Sequence, residues 1–142
     1  MIQAASNIRV PKLTYYVGAS YGAGNYGMAG LGYEPDFLFS WPAAKTGVMS
    51  GESAAGTMET VALASAKRRG VEPDMEALAK QRATIEAIFD AQEDAFFTSG
   101  RMLDNGIIDP RDTRKVLGFT LETIWERKHR RVQPNAFGIG RM

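Results

Sequence analysis

Apolar positions along the chain follow two regimes. In the first third they come as short unbroken runs. Lys12-Leu13-Thr14-Tyr15-Tyr16-Val17-Gly18-Ala19 is β-branched and aromatic and predicts a strand over 12–19. Phe37-Leu38-Phe39-Ser40-Trp41 predicts a second buried strand, ended by Pro42, and Lys45-Thr46-Gly47-Val48-Met49 a third. Between the first two lie glycines 22, 24, 27, 30 and 32, which predict a tight turn at 20–22 followed by a short buried helix reaching 32. Later the apolar spacing becomes helical. Ser50 or Gly51 caps a helix to about Arg69, with Glu52 in its first turn and Gly70 as its stop. Leu78, Arg82, Ile85, Phe89, Gln92 and Phe96 recur three or four apart, predicting one helix from Asp74 to near Gly100. Asn105-Gly106 signals a turn before a short buried segment, Ile107-Ile108. Asp109-Pro110-Arg111-Asp112 is a helix start with Asp109 and Asp112 as caps; that helix carries Val116, Leu117, Leu121, Ile124 and Trp125 and runs into a cationic end at 127–131. Residues 2–8 read as a helix stopped by Pro11, and the tail 132–142 as turns. Strand–turn–helix alternation of this kind predicts an α/β layered fold, with short strands, a glycine-rich turn and amphipathic helices in a single unit over 1–142.

Composition sharpens the division. The first 56 residues hold 9 of the 15 glycines and 6 charged residues, and the other 86 hold 27 charged residues, so the first part is expected to be the buried, turn-rich one. A net charge of +1 gives no large positive field, which argues against bulk nucleic-acid binding. There is no cysteine and one histidine, His129, so thiol nucleophiles, disulfides, zinc–thiolate sites and multi-histidine metal sites are excluded and no metal is expected. No run is long and apolar enough to span a membrane, and the first residues lack a signal peptide's pattern, so the expected setting is soluble and cytoplasmic.

The glycine-rich stretch fits two known motifs. Gly18-Ala19-Ser20-Tyr21-Gly22 matches the G-x-S-x-G of serine hydrolases, but the only histidine sits in a cationic helix end. Gly22-Ala23-Gly24-Asn25-Tyr26-Gly27 matches the G-x-G-x-x-G of dinucleotide folds, but Trp41-Pro42-Ala43-Ala44-Lys45-Thr46-Gly47 lacks the acid that a ribose contact requires. Simple tight packing is the bland reading. The arrangement itself favours a site: amides where a glycine turn opens a helix have no intrahelical acceptor and suit an oxygen carrying negative charge. Ala23 and Gly24 are the best-placed donors, because neither side chain blocks an approaching ligand. Glu52 is read as a helix-start residue, and Trp41 and Trp125 as core or interface. Phe96-Phe97 and the charged end at 127–131 are candidate subunit contacts, with a solvated surface as the default.

At Ser20-Tyr21-Gly22-Ala23-Gly24-Asn25-Tyr26-Gly27-Met28 the chain resembles the carboxyltransferase (β) subunits of biotin-dependent acyl-CoA carboxylases, in particular the methylcrotonoyl-CoA and geranyl-CoA carboxylase branch. The resemblance continues through Val10-Pro11-Lys12-Leu13-Thr14, Trp41-Pro42, Val48-Met49-Ser50-Gly51-Glu52-Ser53-Ala54-Ala55-Gly56, Asp104-Asn105-Gly106-Ile107-Ile108-Asp109-Pro110, Asp112-Thr113-Arg114-Lys115-Val116-Leu117-Gly118 and Phe137-Gly138-Ile139-Gly140-Arg141-Met142. The propionyl- and acetyl-CoA branch reads more like Y-G-G-A-Y-D-V-M in the turn, and this chain departs from it.

The resemblance implies a partial crotonase-like fold. Family subunits have two crotonase-like halves, and this chain resembles the later part of the second, a C-terminal fragment with a family-like ending. It implies a carboxyltransferase that moves a carboxyl group from carboxybiotin to an acyl-CoA, with two oxyanion holes. The biotin-side hole maps to the backbone amides of Ala23 and Gly24, with Gly22 completing the cofactor-binding turn and Asn25 and Tyr26 beside the acyl pocket. Biotin itself supplies the base, carried by a partner carrier domain and not bound covalently to this chain, with a biotin carboxylase subunit as a further partner. A homo-oligomer is implied, and a lone second-half piece is expected to be inactive. A reading from a different class stays open: a non-catalytic crotonase-type oligomerisation or scaffold module.

Overall fold

The computed structural model describes residues 1–131, and divides into two units, Met1–Pro110 and Arg111–Met142. The expected turns of the tail and the family-like ending lie outside the described residues.

In the first unit, helix α1 (Ile2–Asn7) ends at Ile8, whose backbone is already extended. The expected strand over 12–19 is two strands, β1 (Leu13–Tyr16) and β2 (Ala19–Tyr21). The apolar run is continuous, so the break shows only in Gly18. β2 absorbs Ser20 and Tyr21, and the turn contracts to Gly22. Helix α2 (Gly22–Gly27) and a 3-10 turn (Leu31–Tyr33) follow. β3 (Phe37–Ser40) pairs in parallel with β1, from Leu13↔Phe37 to Tyr16↔Ser40. β4 (Lys45–Gly47) pairs in parallel with β2, from Ala19↔Lys45 to Tyr21↔Gly47, and stops short of Val48 and Met49, both exposed.

Alternation along β1 and β3 sends Thr14, Tyr16, Leu38 and Ser40 inward. Tyr16 and Leu38 form the core with Ala44, Ala95 and the partly buried Ile107. The segment after residue 103 lies along β3, joined to it by an isolated parallel bridge between Ser40 and Ile107. Leu38 N donates to Asn105 Oδ1 (2.8 Å), Asn105 N to the Leu38 carbonyl (2.7 Å), and Ile108 N to the Ser40 carbonyl (2.9 Å). Asp104 shapes this turn by accepting from Ser40 Oγ (2.5 Å) and Gly106 N (3.0 Å), and Gly106 takes a φ of +131°.

Helix α3 (Gly51–Arg69) starts on Ser50, whose hydroxyl accepts from Ser53 N, and ends on Gly70 at φ +65°. Helix α4 (Met75–Glu93) starts on Asp74, which accepts from Glu76 N and Ala77 N. The two helices pack closely: a Cβ at Gly51 would lie 3.0 Å from the Glu86 carbonyl oxygen. Arg82 links them by pairing with Glu59 (2.8 Å) while also pairing with Glu86 (3.0 Å).

The single helix expected to Gly100 breaks at Asp94, whose ψ of 142° is extended; helix α5 (Ala95–Gly100) begins there, capped by Asp94 Oδ1 accepting from Phe96 N and Phe97 N. The break takes Phe96 off the expected stripe, and both it and Gln92, just before the break, are exposed.

The second unit is helix α6 (Thr113–His129), entered through a 3-10 turn at Pro110–Asp112. Asp112 occupies the N-cap position without a side-chain capping bond, so the expected acidic cap there is a turn residue instead. Thr120 and Ile124 are buried, whereas Leu121 and Trp125 are exposed. Trp125 is therefore not core within this chain; its ring meets that of His129 at a tilt of 35°, with centroids 3.9 Å apart. Among the described residues no helix is long and apolar enough to cross a membrane.

Candidate functional site

The glycine turn is built by three constraints. Tyr21 ends β2 in extended backbone (φ −123°, ψ 147°) and stands as the N-cap of α2. Gly22 then turns the chain at φ +51°, and a Cβ there would sit 2.9 Å from the Val48 carbonyl oxygen, so the position admits only glycine without strain. α2 follows at once. It is shorter than expected and has no buried residue, so the buried helix expected between the turn at 20–22 and residue 32 is instead a turn and a half of exposed and half-buried residues.

Ala23 and Gly24 are exposed, and fall in the first turn, where amides lack intrahelical acceptors. Tyr21 supplies no side-chain cap. Among the described residues, neither amide donates to a carbonyl or side chain elsewhere in the chain. A Cβ at Gly24 would have nothing within 4 Å. The turn thus presents two neighbouring donors beside open space.

The next two residues hold the turn in place. Asn25 Nδ2 donates to Tyr16 Oη and to Thr46 Oγ1 (both 3.0 Å), and Thr46 Oγ1 in turn donates to the Ser20 carbonyl (3.0 Å). Leu31 N also reaches Tyr16 Oη (3.3 Å). The Asn25 carboxamide lies so close to Gly30 that a Cβ there would overlap it. Tyr26 covers Gly32 and meets Tyr33 edge-on, with centroids 5.7 Å apart; its own side chain is half exposed. Asn25 therefore points into the turn's own support, and Tyr26 lies over its far side. Close packing accounts for Gly30 and Gly32 and strand-to-helix reversal for Gly22. Gly24 has no such packing role.

A second group lies beneath the turn. Glu93, at the end of α4, is 5% exposed. Its Oε1 pairs with Lys45 Nζ (2.5 Å) and its Oε2 accepts from Tyr21 Oη (2.8 Å). Burial pushes the Glu93 carboxyl up, but the hydrogen bonds from Lys45 and Tyr21 and the Lys45 charge outweigh it and hold the group below its ordinary value. Burial, the Glu93 hydrogen bond and the nearby carboxylates push the Tyr21 hydroxyl up to about 12. Sequence reasoning missed Glu93 and Lys45. One signal was present: residue 93 is four beyond Phe89 and so falls on the inward stripe of α4, where a lone charge requires a partner.

The hydrolase motif does not assemble. Ser20 is the middle residue of β2, not the tip of a strand-to-helix elbow, and His129 Nδ1 faces the Trp125 carbonyl oxygen (2.8 Å). Among the described residues no group of three His, Cys, Asp or Glu side chains could hold a metal ion.

The crystal structure of the Pseudomonas aeruginosa geranyl-CoA carboxylase β subunit superposes with a TM-score of 0.81 at 38% identity, over 99% of this chain and 26% of that one. A probable biotin-dependent acyl-coenzyme A carboxylase beta2 subunit of Mycobacterium tuberculosis is 48% identical over 87% of this chain and 23% of its own length. The mitochondrial methylcrotonoyl-CoA carboxylase beta chain of Arabidopsis thaliana is 41% identical over 100% of this chain and 24% of its own. The chain thus spans about a quarter of the length of the curated relatives it matches. Its α/β architecture is the partial crotonase-like fold that the resemblance implied. The carboxyl transferase domain matches residues 1–137, and with relatives of this similarity the chain belongs to the carboxyl transferase domain family.

Proposed function

We propose that this chain is the biotin-side portion of a carboxyltransferase in a biotin-dependent acyl-CoA carboxylase. Its working groups are the backbone amides of Ala23 and Gly24, with Gly22 setting their direction. The observation that carries this reading is the pair of exposed, unspent amides beside open space at Gly24. Those donors fit a ureido oxygen, which needs hydrogen bonds in one place and no side-chain acid. When bound, biotin brings the carboxyl group and supplies the base that accepts the substrate's proton.

The amides of Ala23 and Gly24 act on charge. Hydrogen bonds from them would stabilise negative charge building on that oxygen, and the Asn25–Tyr16–Thr46 network holds the turn beside them, which limits the reorganisation the reaction needs. In other enzymes the loss of one such donor costs roughly 3–4 kcal/mol of transition-state stabilisation. Asn25 supports the turn, and Tyr26 offers its half-exposed ring as one wall of the acyl pocket. The proposed partners are an acyl-CoA, a carrier domain bearing biotin, a biotin carboxylase subunit and further copies of this chain. The rest of a carboxyltransferase subunit would complete the acyl-CoA site.

A scaffold role is favoured by one observation. Val48, Met58, Val61, Ile88 and Phe96 are all exposed large apolar residues. A biotin titration of the chain separates the readings. Saturable binding that weakens at least about tenfold in Gly24→Val supports the carboxyltransferase reading, since a Cβ at that position has nothing within 4 Å and the added side chain would stand beside the exposed amides. Stable oligomers with no biotin response support the scaffold. Carboxylation regained on mixing with a protein carrying the first crotonase-like half tests the activity directly.

A further inference from the structure

Glu93 is the only charged residue buried among the described residues, at 5% exposure. Taking a carboxylate out of water is costly, and an apolar residue would hold α4 against the strands at least as well. What a carboxylate adds is direction, through two bonds of defined geometry. Those bonds reach both ends of the three-rung β2–β4 ladder. Lys45 is in the rung Ala19↔Lys45, and Tyr21 in the rung Tyr21↔Gly47. An isolated bridge between Lys45 and Asp94 ties the same place through the backbone. A ladder this short has little stability of its own and depends on such anchors. Tyr21 is also the last residue before Gly22, two residues ahead of Ala23 and three ahead of Gly24.

We propose that Glu93 is a positioning residue for the amide pair at Ala23 and Gly24. It acts through Tyr21, fixing where β2 ends and hence the direction in which the first amides of α2 point. Lys45 neutralises the carboxylate so that it can stay buried, and Tyr21 transmits its position. The inference deepens the proposed function and rests on it only for the ligand, the biotin ureido oxygen.

The test follows the Ala23 and Gly24 amide resonances of the 15N-labelled chain, together with biotin affinity and thermal midpoint. Glu93→Gln removes the charge, and Tyr21→Phe removes the transmitting hydroxyl while leaving the Lys45–Glu93 pair. Gly70→Ala serves as a control, because it strains the left-handed cap at the opposite end of α3. Both test variants are expected to shift the two amide resonances without ligand and to weaken biotin binding by roughly tenfold, the scale of one lost hydrogen bond to a charged group. Gly70→Ala should lower the thermal midpoint and leave both readouts alone. Unmoved amide resonances, or an affinity loss no larger than the control's, overturn the proposal. If the unmodified chain gives no saturable biotin response, the ligand reading fails by itself, and the amide shifts alone then decide whether Glu93 positions the pair.

Discussion

Glu93 carries a pH dependence whose sign follows from its surroundings. Its carboxyl is held below the ordinary value in the folded chain, because the Lys45 and Tyr21 hydrogen bonds outweigh burial. The unfolded chain therefore binds this proton at a higher pH than the folded one. The contribution to stability is complete above the ordinary carboxylate range and disappears as pH falls through the lower folded value. The urea midpoint of the unmodified chain should drop as pH falls through and below the ordinary carboxylate range, more steeply than that of Glu93→Gln. Parallel curves for the two proteins would contradict this. The same residue shows where sequence reading stops. Ala23 and Gly24 could be nominated from sequence because a glycine turn opening a helix advertises free amides locally. Glu93 was not, because its burial depends on Lys45, which lies 48 positions earlier in the chain.

At the scale of elements, Asp94 is the sharpest case. The spacing from Phe89 through Gln92 to Phe96 continues a helical period without interruption, so it hides the break between α4 and α5. The break comes from Asp94 itself, which leaves helical backbone and caps the next helix by accepting from Phe96 N and Phe97 N. Asp94→Ala removes the one oxygen that accepts both bonds and should cost about 1 kcal/mol, lowering the thermal midpoint by roughly 3–6 °C, as followed by circular dichroism. Asp94→Ser, which keeps a capping oxygen, should recover most of that loss. Other ends were readable because their signals are chemical and local: Ser50 and Gly70 around α3, Asp74 before α4, and the Asn105-Gly106 turn. The pairing of strands was not readable. β1 meets β3 and β2 meets β4 in parallel, across intervening segments that leave no mark on either strand's own residues.

At the scale of the whole molecule, the apolar surface on α4 and a near-zero net charge act in the same direction. Ala83, Ala87, Ile88 and Ala91 are exposed along one strip of that helix, rimmed by Lys80, Thr84 and Gln92. With a net charge of +1, electrostatic repulsion between copies is weak and cannot offset the burial of such a strip. The chain should therefore associate as concentration rises, with a sedimentation mass above the 15.5 kDa of one copy. Ala87→Glu places a charge in the middle of the strip. Glutamate is a good helix former at an exposed position, so α4 itself should be little affected and the thermal midpoint of a dilute sample should stay nearly constant. The expected outcome is a return toward the monomer mass at concentrations where the unmodified chain associates. An unchanged mass distribution in that variant would mean that another surface drives association. A monomer at every concentration would mean that the exposed apolar side chains are too dispersed to hold two copies together.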